Sequence, residues 1–211
     1  MAISNADESG NGEVLCRGRC VFMGYFKDEP ETMAAIDQKG FVRSGDIGFL
    51  NKSDCLAITG RIKELIVTSG GENVAPVRIE GEISAALPIF SHVVVVGDYK
   101  KYLSALLCLK LKDEKHLDDS VVGYLSERGC PAKTISEVMA CPKARLLIQE
   151  GIERANKKAA SRVHQVRKFT ILPLELSVDG GQLTPTLKLK RKIISQQFKA
   201  QIDSMYVDPK L

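Results

Sequence analysis

The sequence has few of the residues that form metal sites or disulfide frameworks. Its 211 residues include six cysteines and three histidines, and no two cysteines are spaced as a CxxC pair. The histidines also do not stand at zinc-ligand spacing from the cysteines. We therefore interpret the scattered cysteines as buried or idle thiols, and we predict no metal site.

Long apolar runs and a strong charge of one sign are also missing. No segment is as long and apolar as a membrane-spanning helix, and no secretory signal is present, which predicts a reducing, cytoplasmic environment. The net charge is only +4, from 30 basic and 26 acidic residues. Aromatic residues are not interleaved with the late basic residues, as base stacking requires, so nucleic-acid binding is not predicted.

The chain shows two patterns that meet near residue 62. Residues 12–60 alternate short β-forming runs with turns, and "EPETMAAID" (29–37) predicts one short helix with a proline in its first turn. Such a part is too short to bury a good core alone, which suggests a piece of something larger. We predict a β-rich piece over 1–62 and a second domain over 63–211.

The second domain has the pattern of an α+β fold with a small mixed sheet and packed helices. "HVVVVGD" and "LSALLCLKL" are apolar runs typical of central strands covered on both faces, and "KFTILP" predicts a further strand. Ile79, Ile83 and Leu87 lie at helical spacing in "APVRIEGEISAALP". Further helices are predicted over 113–128, 132–140, 142–160 and, in "KRKIISQQFKAQID", over 190–203.

Two short stretches contain residues suited to binding a nucleotide or a thiol substrate. In "GFVRSGDIGFL" (40–50), we expect the carboxylate of Asp46 on a turn at a strand end, where it could bind the hydroxyls of a ribose or merely cap its own turn. Arg61 and Lys63 stand at the domain junction, where a hinge is common. Gly70 and Gly71 either let the backbone approach a ligand or form a simple hairpin turn.

The third stretch is "GQLTPTLKLKRK" (181–192), in which Lys188 follows a Thr-Pro-Thr turn. A turn that ends in lysine can present a point charge to a phosphate, whereas a plain basic helix start is electrostatically unfavourable. We expect a buried face made by Leu189, Ile193 and Phe198. The remaining basic residues are expected to face outward, namely Lys190, Arg191 and Lys192.

Together and in this order, the motifs resemble those of the adenylate-forming superfamily. "GEVLCRGRCVFMGYF", "GFVRSGDIG", "GRIKELIVTSGGENVAP" with a following "IE", and the lysine stretch are similar to four successive family motifs. "ITGRIKELIVTSGGENVAP" and "LTPTLKLKR" resemble long-chain fatty acyl-CoA synthetases, and most closely their bubblegum branch. The resemblance covers residues 10–205 and implies the mobile C-terminal domain of these enzymes, preceded by the end of the N-terminal domain.

The resemblance also implies a role for each matching residue. Asp46 and Arg61 would contact the nucleotide, and Lys63 would be the hinge on which the C-terminal domain rotates between half-reactions. Gly70, Gly71 and Glu72 would form the loop used in thioester formation with coenzyme A. Lys188 matches the catalytic lysine of adenylation, and Lys190 remains the alternative.

Two family motifs are absent from this sequence: the phosphate loop and the adenine-side motif, which belong to the large N-terminal domain. The resemblance thus implies part of a ligase that uses ATP, CoA and a fatty acid, with Mg²⁺ held outside this chain and with the missing N-terminal domain as its partner. Peripheral membrane association suits an enzyme of insoluble acids. The alternative is a non-catalytic module that binds a nucleotide or CoA.

Overall fold

The computed structural model describes residues 1–7 and 10–207. The chain divides into two compact units, Met1–Leu65 (unit 1) and Ile66–Leu211 (unit 2), and each is described by itself. No helix among the described residues is both long enough and apolar enough to cross a membrane.

Unit 1 is an antiparallel sheet with one short helix. Its four strands lie in chain order and are β1 (Ala2–Ser4), β2 (Gly12–Cys16), β3 (Val42–Leu50) and β4 (Leu56–Arg61). The helix α1 (Glu29–Ala35) begins after Asp28, whose side chain accepts a hydrogen bond from the Glu31 amide, and carries a proline in its first turn. The short helix predicted in this part is therefore confirmed.

Unit 2 is built around a mixed three-stranded sheet with β8 (Leu103–Leu109) in the middle. β8 pairs antiparallel with β7 (Phe90–Val96) and parallel with β9 (Val166–Ile171). All seven residues of β8 are buried. Leu103, Ala105, Leu107 and Leu109 enter one core cluster, and Leu106 and Cys108 enter a second. The prediction of a central strand covered on both faces is confirmed for "LSALLCLKL". For "HVVVVGD" only the cover is confirmed, because β7 lies at an edge of the sheet, with Val93 and Val95 in one core cluster and Val94 and Val96 in the other.

The helices of unit 2 cover both faces of this sheet. One core cluster contains residues from α2 (Pro76–Ala86), α3 (Asp119–Glu127), α4 (Ile135–Ala140) and α5 (Pro142–Asn156). The other contains residues from α6 (Arg191–Gln197) and α7 (Lys199–Ser204). A two-stranded hairpin, β5 (Ile66–Val67) with β6 (Asn73–Val74), precedes α2. The predicted α+β class, with a small mixed sheet and packed helices, is confirmed.

Four predicted helices have different bounds in the structure. The helix predicted over 132–140 begins at Ile135, and the one predicted over 142–160 ends at Asn156. The helix predicted from residue 113 begins at Asp119, because Asp118 caps it by accepting a hydrogen bond from the Ser120 amide. Residues 113–116 instead form a turn around the Asp113 carboxylate. The last predicted helix is divided at Phe198, whose backbone (φ −103°, ψ 24°) leaves the helical region and separates α6 from α7.

The predicted buried face of the last helix is partly wrong. The buried residues are Ile194, Phe198 and Ile202, at steps of four, whereas Ile193 and Leu189 are only half-buried. Phe198 is buried as predicted, but the buried isoleucine of α6 is Ile194 and not Ile193, and the first helical residue is Arg191. Arg191 also does not face outward as expected, because its guanidinium pairs with Glu80.

Candidate active-site segments

Asp46 lies inside strand β3. The sequence analysis predicted that it lies on a turn at a strand end, and this prediction is wrong. Its backbone pairs with Arg61 of β4, and the register shifts between Ile47 and Gly48. Gly45 has a φ of +71°, which a glycine adopts readily and which bends the strand just before the carboxylate.

The Asp46 side chain forms an ion pair with Arg61 of the neighbouring strand. Asp46 Oδ1 lies 3.0 Å from Arg61 Nε, with 29% of the aspartate side chain and 60% of the arginine side chain exposed. Ser44 fixes the backbone here, because its Oγ donates to the Val14 carbonyl at 2.7 Å and accepts from the Asp46 amide at 3.0 Å. The structure thus brings together the two residues that the sequence predicted to bind a nucleotide.

An open groove of about 570 Å³ lies beside this pair within unit 1. Its lining includes Ser44, Gly45 and Arg61, together with Lys63. The lining has three basic side chains, Arg43, Arg61 and Lys63, and three acidic ones, Glu13, Glu31 and Glu64, so the groove offers both hydrogen-bond donors and acceptors to a ligand.

Lys63 occupies the short 3₁₀ turn Ile62–Glu64 that follows β4. The turn is closed by a hydrogen bond from the Leu65 amide to the Ile62 carbonyl, and the boundary between the two units follows Leu65. Element ends of this kind are where backbone angles can change during a domain movement. The hinge role of Lys63 stays a prediction.

Gly70, Gly71 and Glu72 form the turn of the β5–β6 hairpin at the start of unit 2. Gly71 has a φ of +80°, and nothing lies within 4 Å of the position where a Cβ would stand. Thr68 holds the turn, since its amide donates to the Glu72 carbonyl and its hydroxyl accepts from the Glu72 amide. The hairpin interpretation therefore describes the local structure, and a role in thioester formation stays a prediction.

Lys188 lies in a tight turn, residues 183–189, which we call the lysine turn. Leu183 pairs with Leu189 across its base, and the Thr184 amide donates to the Lys188 carbonyl at 2.8 Å. The Thr184 hydroxyl accepts from the Lys188 amide at 3.0 Å. Leu187 has a φ of +60°, unusual for a leucine, and is 67% exposed, so the turn presents an exposed Lys188 next to a constrained backbone.

Lys190, the alternative lysine, stands in a different environment from Lys188. It is half-buried at the residue before α6, and its amide donates to the Gln182 carbonyl at 2.8 Å. Greater exposure makes Lys188 the better placed of the two to reach a ligand.

All six cysteines are free thiols, but two of them lie close together, which the sequence did not indicate. Cys130 Sγ and Cys141 Sγ lie 2.9 Å apart, although neither is in a disulfide. Burial raises the pKa of the Cys130 thiol, and the hydrogen bond from Cys130 lowers the pKa of Cys141. Within 1–7 and 10–207, no group of three or more His, Cys, Asp and Glu residues could hold a metal ion.

The C-terminal domain model of AMP-binding enzymes matches residues 63–210. The chain belongs to this AMP-binding enzyme family. It is 43% identical to the mouse long-chain-fatty-acid–CoA ligase ACSBG2 over 96% of its own length, and 40% identical to human ACSBG1 over its whole length. The resemblance to the bubblegum branch of fatty acyl-CoA synthetases is thus confirmed. The chain spans only about 30% of the length of those relatives.

Solved structures agree with the family at the level of the fold. The adenylation domain of a carboxylate reductase from Mycobacterium chelonae superposes with a TM-score of 0.71 at 22% identity, over 94% of this chain and 28% of that domain. A second one, from Segniliparus rugosus in complex with AMP and a co-purified carboxylic acid, gives 0.70 at 18% identity, over 93% of this chain and 28% of that chain. These likenesses support the fold of an AMP-binding enzyme and nothing further.

The sequence did not reveal the contact between Glu80 and Arg191. Its one signal was an acidic residue beside Ile79 on the buried side of a predicted helix. Such a residue needs a partner, because a buried carboxylate without one is costly. Its partner could not be named, because it lies 111 residues away.

Proposed function

We propose that this chain is the C-terminal portion of a long-chain fatty acid–CoA ligase. The observation that carries the proposal is the similarity along the whole chain to ligases of this type, at 40–43% identity. We keep the division inferred from the sequence as part of this proposal, with residues 1–62 ending the N-terminal domain and 63–211 forming the C-terminal domain. The enzyme is cytoplasmic, with peripheral contact at membranes.

The proposed reaction has two steps. In the first, a fatty acid carboxylate attacks the α-phosphorus of ATP, which gives an acyl-adenylate and releases pyrophosphate. In the second, the thiol of CoA attacks the acyl carbon, which gives acyl-CoA and releases AMP. The residues that would hold Mg²⁺ lie outside this chain, and the ion would neutralise phosphate charge in the first step.

Within this scheme the residues of unit 1 hold the nucleotide. The partly exposed carboxylate of Asp46 accepts hydrogen bonds from the ribose hydroxyls, and charge makes such bonds strong. Arg61, paired with Asp46, contacts the ribose or phosphate side. Both residues are already placed by paired strands, so little order has to be gained on binding.

Lys188 acts in the first step only. Its ammonium group neutralises the negative charges of the carboxylate and the phosphate as they approach each other, which is the role of a preorganised electrostatic donor. Rotation at Lys63 then withdraws it, and the Gly70–Glu72 turn accompanies the thiol in the second step. This exchange explains why one mobile domain would contain both segments.

The test is Lys188→Ala in the complete protein, with each half-reaction measured separately. Adenylation, followed as pyrophosphate release, should fall on the order of 10²- to 10³-fold, as for the loss of other electrostatic donors. Formation of acyl-CoA from preformed acyl-adenylate should be spared. If both half-reactions fall equally, the assigned role of Lys188 is wrong.

Two matched variants complete this test. Lys190→Ala decides between the two candidate lysines, and it should leave adenylation close to that of the unchanged protein. Lys192→Ala removes an exposed positive charge from α6 and controls for a general effect of charge. A large loss of adenylation in Lys190→Ala but not in Lys188→Ala would move the catalytic role to Lys190.

The second candidate function is a module that binds a nucleotide or CoA without catalysis, which the groove beside Asp46 and Arg61 favours. The 211-residue chain can be titrated with ATP, CoA and a non-hydrolysable acyl-adenylate analogue by calorimetry. We expect weak or no binding and no turnover. Tight binding without turnover by the complete protein would support the module instead.

A further inference from the structure

Glu80 of α2 and Arg191 of α6 form a bidentate ion pair that is largely buried. Arg191 Nη1 and Nη2 donate to Glu80 Oε1 and Oε2, both at 2.7 Å. The Val95 amide also donates to Glu80 Oε1, at 2.8 Å. The side chains are only 11% and 20% exposed for Glu80 and Arg191, so the pair is well shielded from water.

This ion pair holds one end of the lysine turn. Arg191 follows Lys188 by three residues and is the first residue of α6. Between them, the Lys190 amide is bound to the Gln182 carbonyl, and Leu183 at the other end of the turn is buried. The base of the turn is therefore fixed on both sides, while its tip, Leu187 and Lys188, is exposed.

The chemistry of the pair explains why an arginine stands at this position. Two parallel bonds to one carboxylate need the planar fork of a guanidinium, which a lysine does not have. A bidentate pair fixes direction as well as distance, so the backbone that leaves Arg191 toward Lys188 has a defined orientation. A single-point contact would leave that orientation free.

We propose that Glu80 and Arg191 are positioning residues for adenylation, which set the orientation of the lysine turn and so of Lys188. This inference rests on the proposed function, since it assumes that Lys188 acts in the first half-reaction. In this proposal neither residue contacts a substrate. A displacement of the lysine by about 1 Å costs on the order of 10²-fold in rate, so a fixed base for the turn matters.

The experiment separates positioning from stability by removing the charges singly and together. Arg191→Met leaves the Glu80 carboxylate enclosed without its partner, and Glu80→Gln leaves the guanidinium without its carboxylate. Both single variants should lower the thermal unfolding midpoint. The double variant E80Q/R191M removes both charges, and its midpoint should recover a large part of the loss, because no enclosed charge is left without a partner.

In the double variant, the rate of adenylation should stay low although the unfolding midpoint recovers. In the complete protein, all three variants should lower the turnover of pyrophosphate release on the order of 10- to 100-fold. Thioester formation from preformed acyl-adenylate should stay within about twofold, since Lys188 takes no part in it. Lys192→Met, on an exposed position of the same helix, should change none of the three measurements.

The outcomes separate this inference from the proposed function. If adenylation recovers in the double variant together with the unfolding midpoint, Glu80 and Arg191 serve stability alone and the inference is overturned. If Lys188→Ala lowers adenylation but the Arg191 and Glu80 variants keep the full rate, the inference fails and the proposed function stands. If Lys188→Ala itself leaves adenylation unchanged, the proposed role of the lysine fails first.

Discussion

Unit 1 buries a single apolar side chain among its described residues, Val14, whereas β8 of unit 2 is buried at all seven of its positions. Large apolar side chains of unit 1 instead lie in water around α1, with Met23, Phe26 and Met33 at 98%, 89% and 72% exposed. Unit 1 is held mainly by the hydrogen-bonded ladder of its four strands. Unit 2 has two apolar cores, one on each face of its sheet.

The difference shows which part of the chain can keep its own geometry. Burial of apolar area is the main favourable contribution to folding, so a unit with a thin core has little stability in reserve. The candidate residues are divided between the two environments, with Asp46, Arg61 and Lys63 in unit 1 and Lys188 in unit 2. We therefore expect the lysine turn of unit 2 to be more rigidly supported than the segments of unit 1 that contain Asp46, Arg61 and Lys63.

The largest expected effect on the free energy of unfolding comes from truncating a buried side chain in the core of unit 2. Ile83→Ala removes a fully buried side chain of α2 and should cost roughly 4 kcal/mol in the free energy of unfolding. Met33→Ala, in α1, removes an exposed side chain and should stay within about 0.5 kcal/mol. Amide hydrogen exchange read by mass spectrometry, on peptides from β8 and from β3, reports each unit separately. Equal losses in the two units would contradict the difference in burial.

A smaller effect is expected from breaking one ion pair in each unit. Arg191→Met should cost about 3 kcal/mol in unit 2, because it leaves an enclosed carboxylate without its partner. Arg61→Met should cost less than about 1 kcal/mol in unit 1, since that guanidinium is 60% exposed and its bond is screened by water. Hydrogen exchange in the same two strands measures both. A larger loss from Arg61→Met would show that unit 1 depends on its ion pair rather than on its ladder.

The sequence predicted the parts of unit 2 that depend on local pattern. "LSALLCLKL" is a continuous apolar run, and such a run needs cover on both faces, which is what β8 has. The start of α6 was harder, because its sequence allows either Ile193 or Ile194 on the buried face. Ile193 and Ile194 are one residue apart, and which of them is buried depends on the residue at which the helix begins.

The arrangement of the candidate site depends on pairings between distant residues. Asp46 meets Arg61 only because a register shift in the β3–β4 ladder places them opposite each other. Glu80 meets Arg191 only after α2 and α6 are packed in unit 2. In neither contact does the local sequence name the partner, so motifs could identify Asp46, Arg61 and Lys188 but not the ion pairs between residues distant in sequence.

The smallest effect concerns the turn before α3, where the Asp113 carboxylate replaces a helical turn. Hydrogen bonds from the His116 and Lys115 amides, together with the His116 side chain, lower the pKa of Asp113 to about 2. Because its pKa is lower in the folded chain than in the unfolded chain, Asp113 stabilises unit 2 at pH values above its ordinary pKa of 3.8. This contribution is lost as the pH falls from about 4 to about 2. Asp113→Asn keeps an oxygen acceptor but no titrating group, so its unfolding midpoint, measured by circular dichroism, should fall less steeply over that window. Identical slopes for the two proteins would show that the carboxylate has the same pKa in the folded and unfolded chains.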